Sequence, residues 1–185
     1  AVVNTNNPDE ARALAEPGDV ESLVGGSFLN FFLIHNEWGI EHLAVTADAL
    51  SCSWGNYSMK DSSSEPRVEW NNTASYTYDE AARFPWQRLY RAISSANDGI
   101  RALDGGLDLG SAAANTRARA FAKWVQGMSH LYLANFFDQA FIFDETIDLN
   151  VDALELQPYT AVLPAAAQMT KDAIALLDAA DFTTP

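Results

Sequence analysis

Two short stretches that combine aromatic and amide side chains carry the clearest chemistry in this sequence. Trp54-Gly55-Asn56-Tyr57 and Trp70-Asn71-Asn72 place flat rings next to carboxamides. Sugar rings stack their apolar C–H faces on Trp and Tyr, while their hydroxyls pair with amide groups. The pattern therefore favours carbohydrate binding. The alternative is that the same rings hold a long loop against the rest of the protein. The candidate ligand-binding residues are Trp70, Asn71, Asn72, Trp54, Asn56 and Tyr57.

Other reactive residue types are not spaced for catalysis or for metal binding. The Gly-x-Ser-x-Gly nucleophile motif and the Gly-x-x-x-x-Gly-Lys phosphate loop are absent, and Cys52 is the only cysteine. His35 and His42 are seven residues apart and could share one helix face across two turns. A metal-binding pair on one helix needs a spacing of three or four residues. The sequence therefore nominates no catalytic residue, no metal site and no cofactor.

An acidic stretch at 144–152 offers oxygen ligands but lacks the layout of a calcium loop. Such a loop needs ligands at alternating positions around a central glycine, and this stretch has no glycine. We therefore predict a solvated loop here. Its acidic residues are Asp144, Glu145, Asp148 and Asp152.

The charge balance excludes whole classes of partner. The 185 residues include 25 acidic and 11 basic side chains, which gives a formal net charge of −14. Nucleic acids and anionic membrane surfaces are bound through clustered Lys and Arg, so neither is an expected partner. The length fits one domain, 1–185, with a core of its own.

Helical periodicity dominates the chain and predicts an all-α fold. A cap at Asn7 followed by Pro8 predicts a short helix to Ala15, and Asp19 is the cap candidate of the next helix. Further helices are predicted over 39–50, 86–103, 112–137 and 161–179. Gly25-Gly26 weakens the second helix but would let another backbone approach it closely. Residues 51–78 show no helical period and are predicted to form one long, aromatic-rich, ordered loop.

The predicted helices have definite inner faces. The connection between 86–103 and 112–137 is short, so these two helices are predicted to form an antiparallel hairpin. Asp104-Gly105-Gly106 is expected to end the first of them. Pro164 is expected to fit only in the first turn of the last helix. The inner residues are Leu89, Ile93, Ala96, Ile100 and Leu103 on the first helix; Phe121, Trp124, Val125, Met128, Leu131, Tyr132 and Asn135 on the second; and Leu163, Ala167, Thr170, Ile174 and Leu177 on the last.

Several of these segments together resemble a known family. They are Trp86-x-x-Leu-Tyr-Arg-Ala-Ile-Ser-Ser-Ala-Asn-Asp-Gly-Ile with its Asn97, Arg117-Ala-Arg-Ala-Phe-x-Lys-Trp-Val-Gln-Gly-Met-x-His-Leu-x-Leu-Ala-Asn-Phe-Phe-Asp, Tyr159-x-x-Val-Leu-x-x-Ala, and Thr46-Ala47-Asp48-Ala49. In their order and spacing they resemble the SusD/RagB family of bacterial outer-membrane nutrient-binding lipoproteins. The resemblance spans nearly the whole chain.

The resemblance implies an all-α protein of tetratricopeptide-like antiparallel helix pairs, without enzymatic activity and without a cofactor. It implies a bacterial cell-surface protein held in the outer membrane by a lipid on a cysteine upstream of Ala1. The implied partner is a SusC-type TonB-dependent transporter barrel, to which the protein passes oligosaccharides or other nutrients. In starch-binding members, part of the sugar platform lies in the loop before the Trp-x-x-Leu-Tyr helix. That position matches Trp70, Asn71 and Asn72 here most closely, and Trp54, Asn56 and Tyr57 less closely.

One departure from the family keeps a second function open. Family members are typically much longer, and this chain resembles their N-terminal part. It is expected to be a portion of a longer SusD-like protein, or a short relative that keeps the helices without nutrient binding. In the second case it would be a non-catalytic helical scaffold or accessory subunit of a larger surface or membrane assembly. Exposure of Trp54, Tyr57 and Trp70 would discriminate between the two.

Overall fold

The structure is a computed structural model that describes residues 13–36, 39–52, 59–66 and 80–180. Helices account for most of these residues, and the predicted all-α class is confirmed. The two strands in the described residues are two residues long and pair antiparallel. The elements are α1 (Pro17–Asn36), α2 (Gly39–Thr46), α3 (Met59–Ser63), α4 (Glu80–Asp104), α5 (Ala112–Phe136), β1 (Gln139–Ala140), β2 (Gln157–Pro158) and α6 (Tyr159–Asp178).

The central unit is the antiparallel hairpin of α4 and α5, as predicted. The end of α4 has the expected glycine cap: Gly106 has φ 97° and donates to the Leu103 carbonyl, while Leu107 donates to Ala102. Ser111 caps the start of α5, because its hydroxyl accepts a 3.1 Å hydrogen bond from the Ala114 amide. The predicted inner face of α4 is confirmed, since all five of its residues are at most 4% exposed.

In the part of the chain that the structure describes, four long helices form the core. Helix α1 packs on α4 and runs antiparallel to it, with Val24 seated over Gly99, where a side chain would leave no room. Helix α6 packs on α5, also antiparallel, and its first amide donates to the Asp138 carbonyl just after α5. Helix α5 therefore touches α1, α4 and α6. Within the described ranges, no helix is long and apolar enough to span a membrane.

The predicted inner face of α6 was wrong by about one residue, whereas that of α5 is confirmed in part, because Val125 is buried and four other predicted residues pack partly buried against the core: Phe121, Trp124, Met128 and Tyr132. On α6 the buried residues are Val162, Ala166, Met169 and Ala173, whereas Ile174 and Leu177 are 51% and 46% exposed. The reason lies in Gly127 of α5. A Cβ atom there would lie 2.9 Å from the Ala166 carbonyl oxygen and 3.0 Å from the Thr170 amide. At this point the two backbones approach so closely that no larger residue fits at position 127, and Ile174 and Leu177 lie at the edge of the contact.

On α5 the buried positions include polar side chains that the predicted apolar stripe omitted. Gln126, Ser129 and His130 are fully buried, while Asn135 is exposed. The predicted close backbone approach at Gly25-Gly26 is also wrong. A Cβ atom at either glycine would meet nothing within 4 Å, and the close approaches occur at Gly99 and Gly127 instead.

Several predicted boundaries shift. Helix α2 ends at Thr46, not Leu50, because Asp48 adopts φ 58° and the Ala49 amide turns back to the Ala44 carbonyl. Residues 59–63 of the predicted loop form α3. Helix α1 begins at Pro17, which fits a first helical position. Helices α4 and α6 begin earlier than predicted, so Pro85 and Pro164 lie in their second turns. Most of the predicted helix at 8–15 lies outside the described residues.

Candidate functional site

The six predicted ligand-binding residues all fall outside the described residues, in 53–58 and 67–79. In sequence, these two stretches lie between α2 and α4 and flank α3. Nothing in the described geometry therefore tests Trp54, Asn56, Tyr57, Trp70, Asn71 or Asn72 as a sugar platform. The described residues contain two other candidate sites, one on each side of α5.

The first candidate site is a segment, residues 141–147, bound across the α4–α5 hairpin; we call it the strap. Side chains of the hairpin form hydrogen bonds with the main chain of the strap at alternate residues. The Tyr90 hydroxyl accepts a 2.6 Å hydrogen bond from the Phe141 amide and donates a 3.0 Å bond to the Phe141 carbonyl. Further along, Arg101 donates to the carbonyls of Glu145 at 2.9 Å and Ile147 at 2.5 Å. The strap is thus fixed at both ends by α4.

The Glu145 side chain inserts into the hairpin from the strap. Lys123 Nζ lies 2.6 and 2.8 Å from its two carboxylate oxygens, and the side chains of this pair are only 16% and 15% exposed. The Gln126 amide also donates to the carboxylate at 2.8 Å and to the Asn97 side-chain oxygen at 2.5 Å. This arrangement corrects the predicted solvated loop, because Glu145 is paired and mostly buried. Asp148 and Asp152 remain exposed, as predicted.

His130 holds the middle of the strap. Its Nε2 accepts a 3.1 Å hydrogen bond from the Phe143 amide, and its Nδ1 lies 2.8 Å from the Gln126 carbonyl oxygen. Since Nε2 accepts, the ring is neutral and the Nδ1 proton is donated to that carbonyl. Burial lowers the pKa of the imidazole, against smaller opposing effects of the Gln126 carbonyl and the Asp144 carboxylate.

The floor beneath the strap is polar and incompletely paired. Asn97 and Gln126 are both fully buried. Asn97 Nδ2 and Gln126 Oε1 are nevertheless left without a hydrogen-bond partner, as is the Ser129 hydroxyl on the same face of α5. A buried donor or acceptor without a partner lowers the free energy of unfolding, so these three groups destabilise the fold at this site. The sequence signal was available, since Lys123, Gln126 and His130 recur three to four residues apart on one helix face.

The second candidate site is an apolar groove on the opposite side of α5, which we call the α5–α6 groove. It encloses about 260 Å³, and only Arg117 and Thr170 among its lining residues are polar. A smaller recess of about 190 Å³ adjoins it and shares Arg117 and Phe121. The other residues that line the α5–α6 groove are Ala120, Phe121, Trp124, Ala173, Ile174 and Leu177. This lining suits apolar side chains better than sugar hydroxyls.

Aromatic rings continue the groove onto α1. The Phe28 ring centroid lies 5.6 Å from that of Trp124 and 6.1 Å from that of Phe121. One turn further on, Phe32 is 46% exposed, and Leu29 beside it is 58% exposed. Exposed apolar patches of this kind commonly mark contact surfaces.

The histidine pair of the sequence analysis does not share a helix face. His35 lies at the end of α1 and His42 lies on α2. His35 Nε2 instead lies 2.7 Å from the Tyr132 hydroxyl oxygen. Among the described residues, no group of three or more His, Cys, Asp and Glu side chains is arranged to hold a metal ion.

Comparisons with protein-family models, with curated proteins and with solved structures found no match to this chain.

Proposed function

We propose that this chain is a cell-surface nutrient-binding subunit, similar to SusD/RagB proteins, that captures oligosaccharides or other nutrients for a TonB-dependent transporter barrel. In this proposal it is a non-catalytic protein without a cofactor. It is held at the bacterial outer membrane by a lipid anchor upstream of Ala1.

The observation that carries the proposal is the way the segments of the family resemblance meet. Asn97, in the first segment, accepts its hydrogen bond from Gln126 in the second segment. The third segment starts α6, where Val162 and Ala166 are buried in the packing against α5. Side chains that carry a resemblance and also contact one another support a shared helical framework. The binding function itself rests on the resemblance and on the aromatic and amide composition of 54–57 and 70–72.

The proposal is tested by titrating the protein with a panel of neutral oligosaccharides in a calorimeter. We expect Trp70→Ala to lose affinity by roughly 1 kcal/mol or more, the contribution of one aromatic stacking contact, while the melting temperature stays unchanged. Trp86→Ala is the contrasting variant. Its ring centroid lies 4.9 Å from Tyr90 and 5.0 Å from Phe137, so its truncation should lower stability by roughly 3 kcal/mol.

Two results would count against sugar binding at Trp70. One is that the wild-type protein binds none of the oligosaccharides. The other is that Trp70→Ala lowers the melting temperature as much as Trp86→Ala does, which would make Trp70 a packing residue.

A second candidate function, a non-catalytic helical scaffold or accessory subunit of a larger assembly, is favoured by the α5–α6 groove. Ile174 and Leu177 leave about half of their surface exposed beside Phe121 and Trp124. Helix-pair proteins use such surfaces to contact other proteins. The oligosaccharide titration separates the two candidates, because a scaffold would bind none of the sugars, whatever Trp70→Ala does to its melting temperature.

A further inference from the structure

The strap has a central attachment that differs in kind from those at its ends. Tyr90 and Arg101 hold the ends through a hydroxyl and a guanidinium. The centre is held by the His130 imidazole at Phe143. Of the side chains that grip the strap, the imidazole alone belongs to a type that changes charge between pH 5 and 8.

The hydrogen bond from Phe143 to His130 exists in one protonation state only. In the neutral ring, Nε2 has a free lone pair and Nδ1 carries the proton that bonds to the Gln126 carbonyl. A second proton must go to Nε2, the atom that faces the Phe143 amide. Two N–H groups would then point at each other across a distance of 3.1 Å. Protonation therefore replaces an attractive contact at the centre of the strap with a repulsive one.

We propose that the strap is a releasable element and that protonation of His130 opens it at Phe143 while Tyr90 and Arg101 keep its ends attached. Glu145 stays bound to Lys123, and opening at Phe143 admits water to the floor of the hairpin from the side of His130. There Asn97 and Gln126 each have a buried polar atom without a partner, and water can then pair with those atoms.

Most charged groups around His130 are paired with other residues, so they have little influence on the protonation of its imidazole. From the strap, the Asp144 carboxylate attracts a charged imidazole, while the Glu145 carboxylate is paired with Lys123 and Gln126 of α5. From α4, Asp98 and Arg101 pair with each other at 2.9 Å, and the Tyr90 hydroxyl is engaged with Phe141. The buried residues of α6 are Val162, Ala166, Met169 and Ala173, none of which titrates. Burial is thus the main force that keeps the ring neutral.

The direction of the pH effect follows from linkage. The pKa of His130 in the closed structure lies below its usual value of 6.5, so the opened state takes up the proton more readily. The free energy that holds the strap closed is therefore greatest above pH 6.5. It weakens as the pH falls below 6.5 and stops weakening once the pH passes the lower pKa of the closed structure.

Native-state amide exchange of the full chain, followed by two-dimensional NMR, measures this directly. Between pH 7.5 and 5.0 we expect the protection of the Phe143 amide, corrected for intrinsic exchange, to fall by about tenfold per pH unit within the window, because one proton is taken up. The Phe141 amide, held by Tyr90, should keep its protection, and the circular dichroism of the helices should not change.

Two variants separate the imidazole from the rest of the strap. His130→Gln keeps a hydrogen-bond acceptor but does not titrate, so Phe143 protection should become independent of pH. Tyr90→Phe should release Phe141 at every pH and leave the pH dependence at Phe143 intact. If His130→Gln does not fold, the nitrogen chemical shifts of the wild-type imidazole serve instead and should show a protonated Nδ1 at pH 7.5.

Three outcomes would overturn the proposal. The first is a Phe143 protection that stays constant down to pH 5.0 in the wild type. The second is a simultaneous loss of protection at Phe141 and Phe143, which would mean global unfolding. The third is a wild-type imidazole that carries its proton on Nε2 at pH 7.5.

Discussion

On one side of α5, Lys123, Gln126 and His130 hold the strap through directed hydrogen bonds. On the other side, Phe121 and Trp124 line an open groove that has almost no polar partner. The polar side depends on a few directed pairs, so removal of one partner leaves a buried charge or amide group unpaired. The apolar side depends on contact area, which many side chains can supply. One helix thus carries a specific attachment and a permissive surface.

The largest effect that this comparison predicts is at Glu145. Glu145→Gln removes the negative charge and leaves the Lys123 ammonium in a site where its side chain is only 16% exposed. We expect the free energy of unfolding to fall by roughly 3 kcal/mol, as when one partner of a buried ion pair is removed. Urea denaturation followed by circular dichroism measures the change.

A surface ion pair provides the control. Glu21→Gln removes the carboxylate that faces Arg117 at 3.6 Å, where both side chains are at least half exposed. That change should cost at most about 0.5 kcal/mol. Equal losses for Glu145→Gln and Glu21→Gln would show that the strap is not held by a buried charge, and the contrast between the two sides of α5 would fail.

A smaller effect is expected at the glycine where α5 meets α6. In Gly127→Ala the new methyl group meets main-chain atoms of α6, which cannot swing aside as a side chain can. We expect a loss of about 1 to 3 kcal/mol, the usual cost of overpacking. Gly25→Ala, a helical position with open space, should instead gain about 0.5 to 1 kcal/mol. Thermal unfolding of both variants tests the pair, and a stabilised Gly127→Ala protein would contradict the close contact.

The smallest effect is expected in the groove. Leu177→Lys changes a residue that is 46% exposed at the edge of α6, so stability should stay within about 0.5 kcal/mol of the wild type. Ala173→Lys, four residues earlier at 2% exposure, should destabilise strongly because its charge would be buried. The same denaturation assay compares them. A large loss in Leu177→Lys would mean that the groove is closed rather than open.

The helices were predictable where local chemistry decides. The short link at 105–111, the glycines after Asp104 and the serine before Ala112 favour the α4–α5 hairpin through local contacts. The inner face of α4 was correct for a similar reason, since α4 carries large aliphatic residues at regular helical spacing.

Other features depend on partners that a single sequence does not reveal. The face of α6 is set by the missing side chain at Gly127, which lies more than thirty residues away in sequence. Glu145 looked like one acid among several, and only the fold brings it to Lys123 and Gln126. The strap was therefore missed, although the polar spacing on α5 was visible. The aromatic and amide residues of 54–57 and 70–72 stay a prediction.

The double hydrogen bond at Tyr90 also affects how this protein meets its neighbours. Phe141 directly follows the two-residue strand β1, where a main chain with free N–H groups could template pairing with another molecule. The phenol hydroxyl takes the place of a neighbouring strand there, because it pairs with both the amide and the carbonyl of Phe141. A single side chain thus pairs the main chain just beyond the end of β1, where a further strand would otherwise find a free amide and carbonyl.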